Sequence, residues 1–288
     1  MSDVVATGVP ELEEIHGPSA VGGGGRRFFE LLWLVATNDF KKSYFGTILG
    51  YLWSLVRPLI LFGVLLFVFT RIIRIGGVPH YAVFILFNIV LFTFFQEATM
   101  NAVTSVVGRE GIMRKTQFPR LVAPLATVMT SLLNLGTNLV VVLGFLLAFG
   151  VYPMWTWLFF PLVLAALAVF TTAAAMILAT LYVRYRDVAI IWGVAAASLI
   201  YATPVIYPLS FVQTNAGMKY VHILMLNPLT PIFVQAQHWI IDPSYFPGAP
   251  SAAGGWVYLL PAMAIYIGVC AFAVWKFNRD APFVAEQL

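Results

Sequence analysis

The positive charges of this chain lie on one side of a series of long apolar segments. Six such segments can be read along the sequence, at 52–73, 81–107, 122–149, 157–182, 188–207 and 256–277. Thirteen of the 16 Lys and Arg residues cluster at alternating ends of these segments: Arg26, Arg27, Lys41, Lys42, Arg57, Arg109, Arg114, Lys115, Arg120, Arg184, Arg186, Lys276 and Arg279. The other three, Arg71, Arg74 and Lys219, lie at the opposite ends. The positive-inside rule therefore predicts an all-α polytopic membrane protein with six transmembrane helices and both termini in the cytoplasm.

The composition supports a membrane location. The 288 residues are 61% hydrophobic and only 10% charged, which is too apolar for a soluble globular domain. The net charge of +4 is spread over four cytoplasmic segments, which favours anchoring at anionic lipid and argues against nucleic-acid binding. The single cysteine, Cys270, lies within the last apolar segment, where a packing role is expected.

The chain divides into a tail and a membrane domain. Residues 1–25 are polar and end in four glycines, which predicts a disordered tail, and 26–288 form the six-helix domain. Within that domain, 26–42 has a polar stripe at helical spacing. A helix of about 15 residues spans only about 22 Å, short of a hydrocarbon core of about 30 Å. We therefore expect 26–42 to be an amphipathic helix lying in the cytoplasmic interface.

The segment between the fifth and sixth apolar segments, 208–255, is neither a polar loop nor a full span. Two apolar pieces of ten residues, 217–226 and 232–241, are separated by Asn227 and the prolines Pro228 and Pro231. Neither piece can cross a bilayer, so the pattern predicts two short re-entrant helices that dip in from the outer face. An ordinary extracellular loop with interfacial helices is the alternative.

Enzyme motifs are absent from the sequence. The four histidines are scattered, and neither a Gly-x-Ser-x-Gly elbow nor a His-Glu-x-x-His pattern occurs. We therefore expect no catalytic residue and no metal site. A Walker A motif is also missing, so any ATP and Mg²⁺ would be bound by a separate subunit and no cofactor by this chain.

Polar residues form a stripe on each of the second and third predicted spans. The stripes are Thr93, Glu97, Asn101 and Thr104 or Ser105, and Thr127, Thr130 or Ser131, Asn134 and Thr137 or Asn138. Such a stripe must face protein or a wet cavity, so it either holds the bundle together or lines a transport route or a dimer seam. Glu97 lies deep within a span, where an acidic residue is structural or serves as a proton site.

The loop 108–120 is basic and exposes apolar residues. Its charges are explained by topology, but Ile112, Met113 and Phe118 would be left in water. A short helix that docks in the groove of a partner would bury them, and simple anchoring is the alternative. The predicted docking residues are Arg109, Glu110, Ile112, Met113, Arg114, Lys115, Phe118, Pro119 and Arg120.

Several short motifs carry a family resemblance from about residue 28 to the end of the chain. They are YFGTILGYLWSL at 44–55 followed by Pro58, RKTQFPR at 114–120, RYRD at 184–187, TPVIYP at 203–208 and LNPL at 226–229. In this order the chain resembles the membrane subunits of ATP-binding-cassette exporters for lipid-linked polysaccharides and polyol phosphates. The O-antigen, teichoic-acid and galactan export permeases of bacterial inner membranes belong to that family.

The resemblance implies a homodimer with two ATPase subunits beneath it. It also implies that 26–42 is an interfacial gate helix, that 108–120 is the coupling helix, and that 208–255 closes the outer mouth around Asn227, Pro228 and Pro231. The cargo would be a polysaccharide on an undecaprenyl or decaprenyl pyrophosphate carrier, moved out of the cytoplasm.

Two further groups of residues follow from that expectation. Lys41, Lys42 and Arg57 are candidates for binding the pyrophosphate. Phe62, Trp192, Tyr201 and Tyr207, with Glu97, are candidates for the cargo route. The rival readings are an exporter of drugs or small lipids, a secondary transporter driven by protonation of Glu97, and a membrane-embedded transferase.

Overall fold

A computed structural model describes residues 25–44, 52–73, 77–109, 111 and 119–280, and in this part of the chain the regular structure is helical. The helices are α1 (Gly25–Tyr44), α2 (Leu52–Phe67), α3 (Tyr81–Val103), α4 (Val122–Ala148), α5 (Phe160–Arg184), α6 (Val188–Ala202), α7 (Leu209–Ala216), α8 (Met218–Met225), α9 (Leu229–Ile240), α10 (Ala249–Ala253) and α11 (Leu260–Asp280). A π-helical segment, Val68–Ile72, extends α2, and 3₁₀ segments Trp155–Phe159 and Trp256–Leu259 precede α5 and α11. The predicted tail lies outside the described residues except for Gly25, the first residue of α1.

Within the described residues, five helical segments are long and apolar enough to cross a membrane. They are Leu52–Ile72, Tyr81–Val103, Val122–Ala148, Trp155–Arg184 and Trp256–Arg279. The helix in the fifth predicted crossing, α6, ends at Ala202 after 15 residues, or about 22 Å. Residues 203–207, which the sequence assigns to the same crossing, are not helical.

The third helix, α3, is the centre of the bundle. Seventeen of its 23 residues are buried, and α2, α4, α5 and α6 all pack against it. Its N-terminal half is apolar on almost every side, as expected for a helix surrounded by other helices, and the polar stripe lies in its C-terminal half. Phenylalanine rings fill the contacts: Phe84 stacks on Phe246 at 5.3 Å between centroids, and Phe95 stacks on Phe170 at 6.2 Å. The helices α2 and α6, which flank α3, are mostly exposed. For example, α2 buries only Pro58 and Phe62.

The first helix, α1, packs along the N-terminal half of α4. Phe28 and Ala36 are buried against Val122 and Ala126, and the Thr130 hydroxyl donates a hydrogen bond of 3.1 Å to the Ala36 carbonyl. The opposite side of α1 exposes large apolar side chains: Phe29, Trp33 and Leu34. The predicted helix at 26–42 is therefore present, with one apolar side on the protein and another turned away from it.

The segment between α6 and α11 folds into short helices. The two apolar pieces of the sequence correspond closely to α8 and α9, while α7 and α10 have no counterpart in the prediction. The C-terminal carbonyls of α9 are bonded by side chains from the start of the α5 region. Thr156 Oγ1 donates to the Trp239 carbonyl at 2.5 Å, and Trp157 Nε1 donates to the Ile240 carbonyl at 3.0 Å. These bonds satisfy groups that a helix end otherwise leaves unpaired.

A buried polar network holds α9 and the non-helical segment 203–206 against α3. Gln237 Nε2 donates to Asn88 Oδ1 and to the Pro204 carbonyl, both at 3.0 Å. The Tyr81 hydroxyl donates to the Ile206 carbonyl at 2.8 Å. Because 203–206 lacks helical hydrogen bonds, side chains supply partners for its backbone carbonyls.

We expect Gln237→Leu to destabilise the fold, because it leaves the Pro204 carbonyl and Asn88 without their buried donor. A loss of about 1–3 kcal/mol is typical for a buried polar group deprived of its partner. Thermal unfolding of the purified protein in detergent should show a clearly lower midpoint. The matched control is Gln213→Leu, at an exposed glutamine of α7, which should leave the midpoint unchanged. Equal midpoints for the two variants would contradict the role of the network.

Candidate functional site: a polar cavity at the basic end of the bundle

A polar cavity of about 690 Å³ opens where α3 ends, α4 begins and α1 passes beside them. Its lining comprises Asp39, Lys42, Ser43, Asn101, Thr104, Ser105, Gly108, Arg109, Thr127, Thr130, Ser131 and Asn134. The two polar stripes of the sequence therefore face each other across an open space at this end of the bundle. Their other ends meet in a narrow cleft formed by Pro58, Thr93, Glu97, Ser131 and Asn138.

Two hydroxyl groups of the cavity donate to backbone carbonyls three or four residues earlier in the chain. Ser105 Oγ donates to the Ala102 carbonyl at 2.8 Å, and Thr127 Oγ1 donates to the Ala123 carbonyl at 3.1 Å. A hydroxyl that donates its proton backward in this way still has lone pairs that can accept a hydrogen bond. The cavity wall therefore offers acceptors to a polar guest.

Arg109 lies in the wall of the cavity, just after α3, and bonds to both α1 and α4. Its guanidinium pairs with the Asp39 carboxylate of α1, and Nη1 donates to the Ala123 carbonyl at the start of α4 at 3.2 Å. The Arg109 side chain is only 17% exposed, so its charge is matched inside the protein. The sequence predicts Arg109 as an ATPase-docking residue. In the structure its head group instead points inward, at the first turn of the loop predicted to dock.

The predicted phosphate-binding lysines lie in the last turn of α1. Lys41 and Lys42 are both exposed, and Lys42 also lines the cavity. Cations are favoured at this position because the C-terminal end of a helix carries a partial negative charge. The cavity thus combines Lys42 with the inward-facing Arg109 and Asp39.

The third predicted phosphate ligand, Arg57, pairs with Glu97. Arg57 Nη1 lies 3.5 Å from Glu97 Oε1, and the side chains are 78% and 30% exposed, respectively. The sequence leaves open whether Glu97 is structural or a proton site, and in the structure its carboxylate has Arg57 as a basic partner. The two residues are 40 positions apart, and a single sequence contains no signal of that proximity.

The described part of the predicted docking loop is anchored to α4. Pro119 is buried and Arg120 is half-buried immediately before that helix begins. Burial lowers the pKa of the Arg120 guanidinium from its ordinary value, because removal from water disfavours the charged form. The remaining predicted docking residues, Glu110, Ile112, Met113, Arg114, Lys115 and Phe118, lie outside the described residues.

The aromatic residues predicted for the route have different surroundings. Phe62 is buried edge-on against Phe145, with 5.9 Å between ring centroids, and Trp192 is half-buried against Phe95. Tyr201 is exposed, and its carbonyl accepts a hydrogen bond of 2.6 Å from the Tyr207 hydroxyl. In a single copy of the chain, Tyr201 is the ring of these four that is most available to another molecule.

The predicted outer-gate residues lie at the junction of α6, α8 and α9. Asn227 Nδ2 donates to Thr203 Oγ1 at 2.9 Å, while Asn227 Oδ1 accepts from the Leu229 backbone amide at 3.1 Å. Asn227 therefore bonds the amide of the first residue of α9 and connects α9 to the end of α6. Pro228 and Pro231 instead line an apolar groove between α9 and α11.

These features together define a multi-pass membrane protein with a polar cavity at one end of its bundle. The chain matches the ABC-2 type transporter family over residues 30–241. It belongs to this family, which confirms the resemblance found in the sequence. The family consists of transport subunits that work with an ATP-binding-cassette ATPase, and it places the chain in the inner membrane.

Similarity to individual proteins extends over most of the chain. The O-antigen export system permease protein RfbA of Klebsiella pneumoniae is 29% identical over 207 residues, which are 72% of this chain and 78% of that protein. The RfbA protein of Myxococcus xanthus is also 29% identical, with the same coverage of both chains.

We expect Arg109→Ala to release the C-terminal half of α1, because Asp39 would keep a partly buried charge without its partner. A cost of about 1.4 kcal/mol or more should speed hydrogen exchange of the α1 amides roughly tenfold. Hydrogen–deuterium exchange with mass spectrometry measures this directly. As a control, Arg26→Ala removes an exposed ion pair with Glu30 on the same helix and should change exchange little. Unchanged exchange in Arg109→Ala would show that Arg109 does not hold α1.

Proposed function

We propose that this chain is the permease of an ATP-driven exporter that moves a lipid-linked polysaccharide out of the cytoplasm. The observation that carries the proposal is the similarity to O-antigen export permeases over 72% of the chain. The polar cavity adds chemical support, because it offers hydroxyl and amide groups beside cations. Sugars and phosphates are bound by that combination of groups.

The proposed topology has six crossings with both termini in the cytoplasm. It rests on the clustering of thirteen basic residues at one set of helix ends. The short helix α6 would complete its crossing through 203–207, whose carbonyls are bonded by Gln237 and Tyr81. Non-helical backbone is tolerated in a membrane when protein surrounds it, as it does here. The helices α8 and α9 would then dip in from the outer face.

Two copies of the chain would form the route between them. The support is the exposure of α2 and α6, which flank α3. Together, these two helices have only three buried residues of their own. Their exposed apolar residues include Ile60 and Val64 on α2 and Ile190 and Val194 on α6. A second copy packed near these helices would give Tyr201 and Tyr207 a place beside the cargo.

The pyrophosphate of the carrier would bind first at the basic end. Lys42 lines the polar cavity, and Lys41 lies next to it on the exposed end of α1. Arg57 lies on α2, outside the lining of this cavity. Its Nη1 makes a long contact of 3.5 Å with Glu97 Oε1. A phosphate group offers two oxygens to a guanidinium and so binds it more strongly than a carboxylate oxygen at 3.5 Å does. Arg57 would therefore leave Glu97 when the phosphate arrives.

ATP and Mg²⁺ would be bound in the partner subunit, two copies of which would dock under the dimer at 108–120. Arg109 begins this loop and is tied to α1 through Asp39 and to α4 through the Ala123 carbonyl. Movement of the loop would therefore move α1, which borders the cavity. This link gives a path from nucleotide binding to the site where the phosphate enters.

Deletion of the gene tests the cargo class. We expect the deletion to strand a lipid-linked polymer in the cytoplasmic leaflet and to remove the corresponding glycan from the cell surface. Lipid extraction with mass spectrometry, together with a surface glycan assay, measures both effects. Altered drug tolerance with normal surface glycan would instead support an exporter of drugs or small lipids.

Arg57→Gln tests the phosphate site. Loss of a charged hydrogen bond worth about 1.5–3 kcal/mol should slow export roughly 10- to 100-fold, and Arg57→Lys should retain part of the rate. Arg71→Gln is the matched control, because Arg71 is an exposed arginine at the far end of the same helical segment. Export rates of radiolabelled glycan are compared at equal protein levels. Wild-type export by Arg57→Gln would remove Arg57 from the proposed site.

A further inference from the structure

An apolar groove of about 760 Å³ lies between α5, α9 and α11, on the side of the bundle away from the polar cavity. Leu162 and Ala166 of α5, Ile232 of α9, and Met263 and Ile267 of α11 form its walls. Its volume falls within the range of pockets that hold small ligands. Apart from Pro228 and Pro231, its lining contains none of the residues proposed for transport.

Three polar side chains of the groove wall are bonded to backbone groups of the protein. The Tyr266 hydroxyl donates to the Ala166 carbonyl at 2.9 Å, and Gln235 Oε1 accepts from the Ala249 amide at 3.0 Å. His238 Nδ1 lies 2.6 Å from the Phe246 carbonyl. The described lining contains no Lys, Arg, Asp or Glu. A sugar or a phosphate would find few partners here, whereas a hydrocarbon chain needs none.

The depth of the groove matches one leaflet of a bilayer. It begins beside Trp256, which is 72% exposed and marks the start of the last crossing as an interfacial tryptophan would. It reaches Ile267, eleven residues further along, a distance of about 16 Å. Half of a hydrocarbon core of about 30 Å is roughly this length. Water is absent at that depth, so acyl chains are the molecules that can fill the space.

We infer that the groove binds one acyl chain of an outer-leaflet phospholipid, which packs α9 against α5 and α11. The assignment to the outer leaflet rests on the proposed topology. Among the described residues, none of α2 or α6 lines the groove, so the isoprenoid tail of cargo moving along those helices does not reach it. Pro228 and Pro231, the predicted outer-gate residues, form part of its wall. The bound lipid therefore contacts the junction of α8 and α9.

Photolabelling tests this site. The full-length permease with its ATPase is reconstituted in vesicles that contain phosphatidylethanolamine with a diazirine on one acyl chain, and labelled peptides are mapped by mass spectrometry. The expected labels concentrate on Ile232, Met263 and Ile267. In Ala166→Trp, whose indole fills the groove, we expect at least a fivefold loss of these labels. Ala165→Trp is the control, since Ala165 is exposed one position away and does not line the groove.

The outcomes separate the alternatives. The inference is overturned if labels are spread evenly over the exposed faces of α5 and α11 and are unaffected by Ala166→Trp. The groove would then be an ordinary lipid-facing surface without a specific site. Loss of label on addition of undecaprenyl phosphate would assign the groove to the cargo tail and also overturn it. If Ala166→Trp fails to fold, the wild-type label distribution still decides between a focused site and an even coat. The readout needs no transport, so it stands apart from the proposed function.

Discussion

Hydrocarbon offers no partner to a polar group, and this constraint organises the whole chain. Most residues of α3 are apolar and buried, so α3 occupies the centre and the other crossings pack around it. Where the backbone leaves helical geometry at 203–206, side chains from α3 and α9 bond its carbonyls. Where polar stripes remain on α3 and α4, they border a cavity that opens at one end. Both of these departures from an apolar helix therefore have a bonding partner or a wet space beside them.

The same constraint connects the cavity to the region where an ATPase would dock. Arg109 could not turn inward without the Asp39 carboxylate and the Ala123 carbonyl, because a partly buried guanidinium needs partners for its charge and its donors. The bonds that satisfy Arg109 also tie α1 to α3 and α4. The hydrophobic contact of Ala36 with Val122 reinforces this connection. Under the proposed function, a force on the docking loop would be delivered to the helix that borders the cavity.

Elements with strong local signals could be predicted from the sequence. The amphipathic helix, five of the six predicted spans and the positions of α8 and α9 follow from hydrophobic length, polar spacing and prolines. Pro204 disfavours helical geometry at Thr203 and so gives a local signal for the end of α6 at Ala202, but the buried path of 203–206 depends on Gln237, 33 residues after Pro204. The pairing of Arg57 with Glu97 and the inward turn of Arg109 are distances between separate helices. Periodicity along one helix has no information about such distances.

We expect this permease to move its cargo only when a partner subunit hydrolyses ATP. The most direct measurement uses vesicles that contain the purified permease and fluorescently labelled lipid-linked glycan, with and without the ATPase subunit. Translocation is followed as protection of the label from an external quencher. The account predicts protection only when both the ATPase and ATP are present. Transport at the same rate by the permease alone would contradict it.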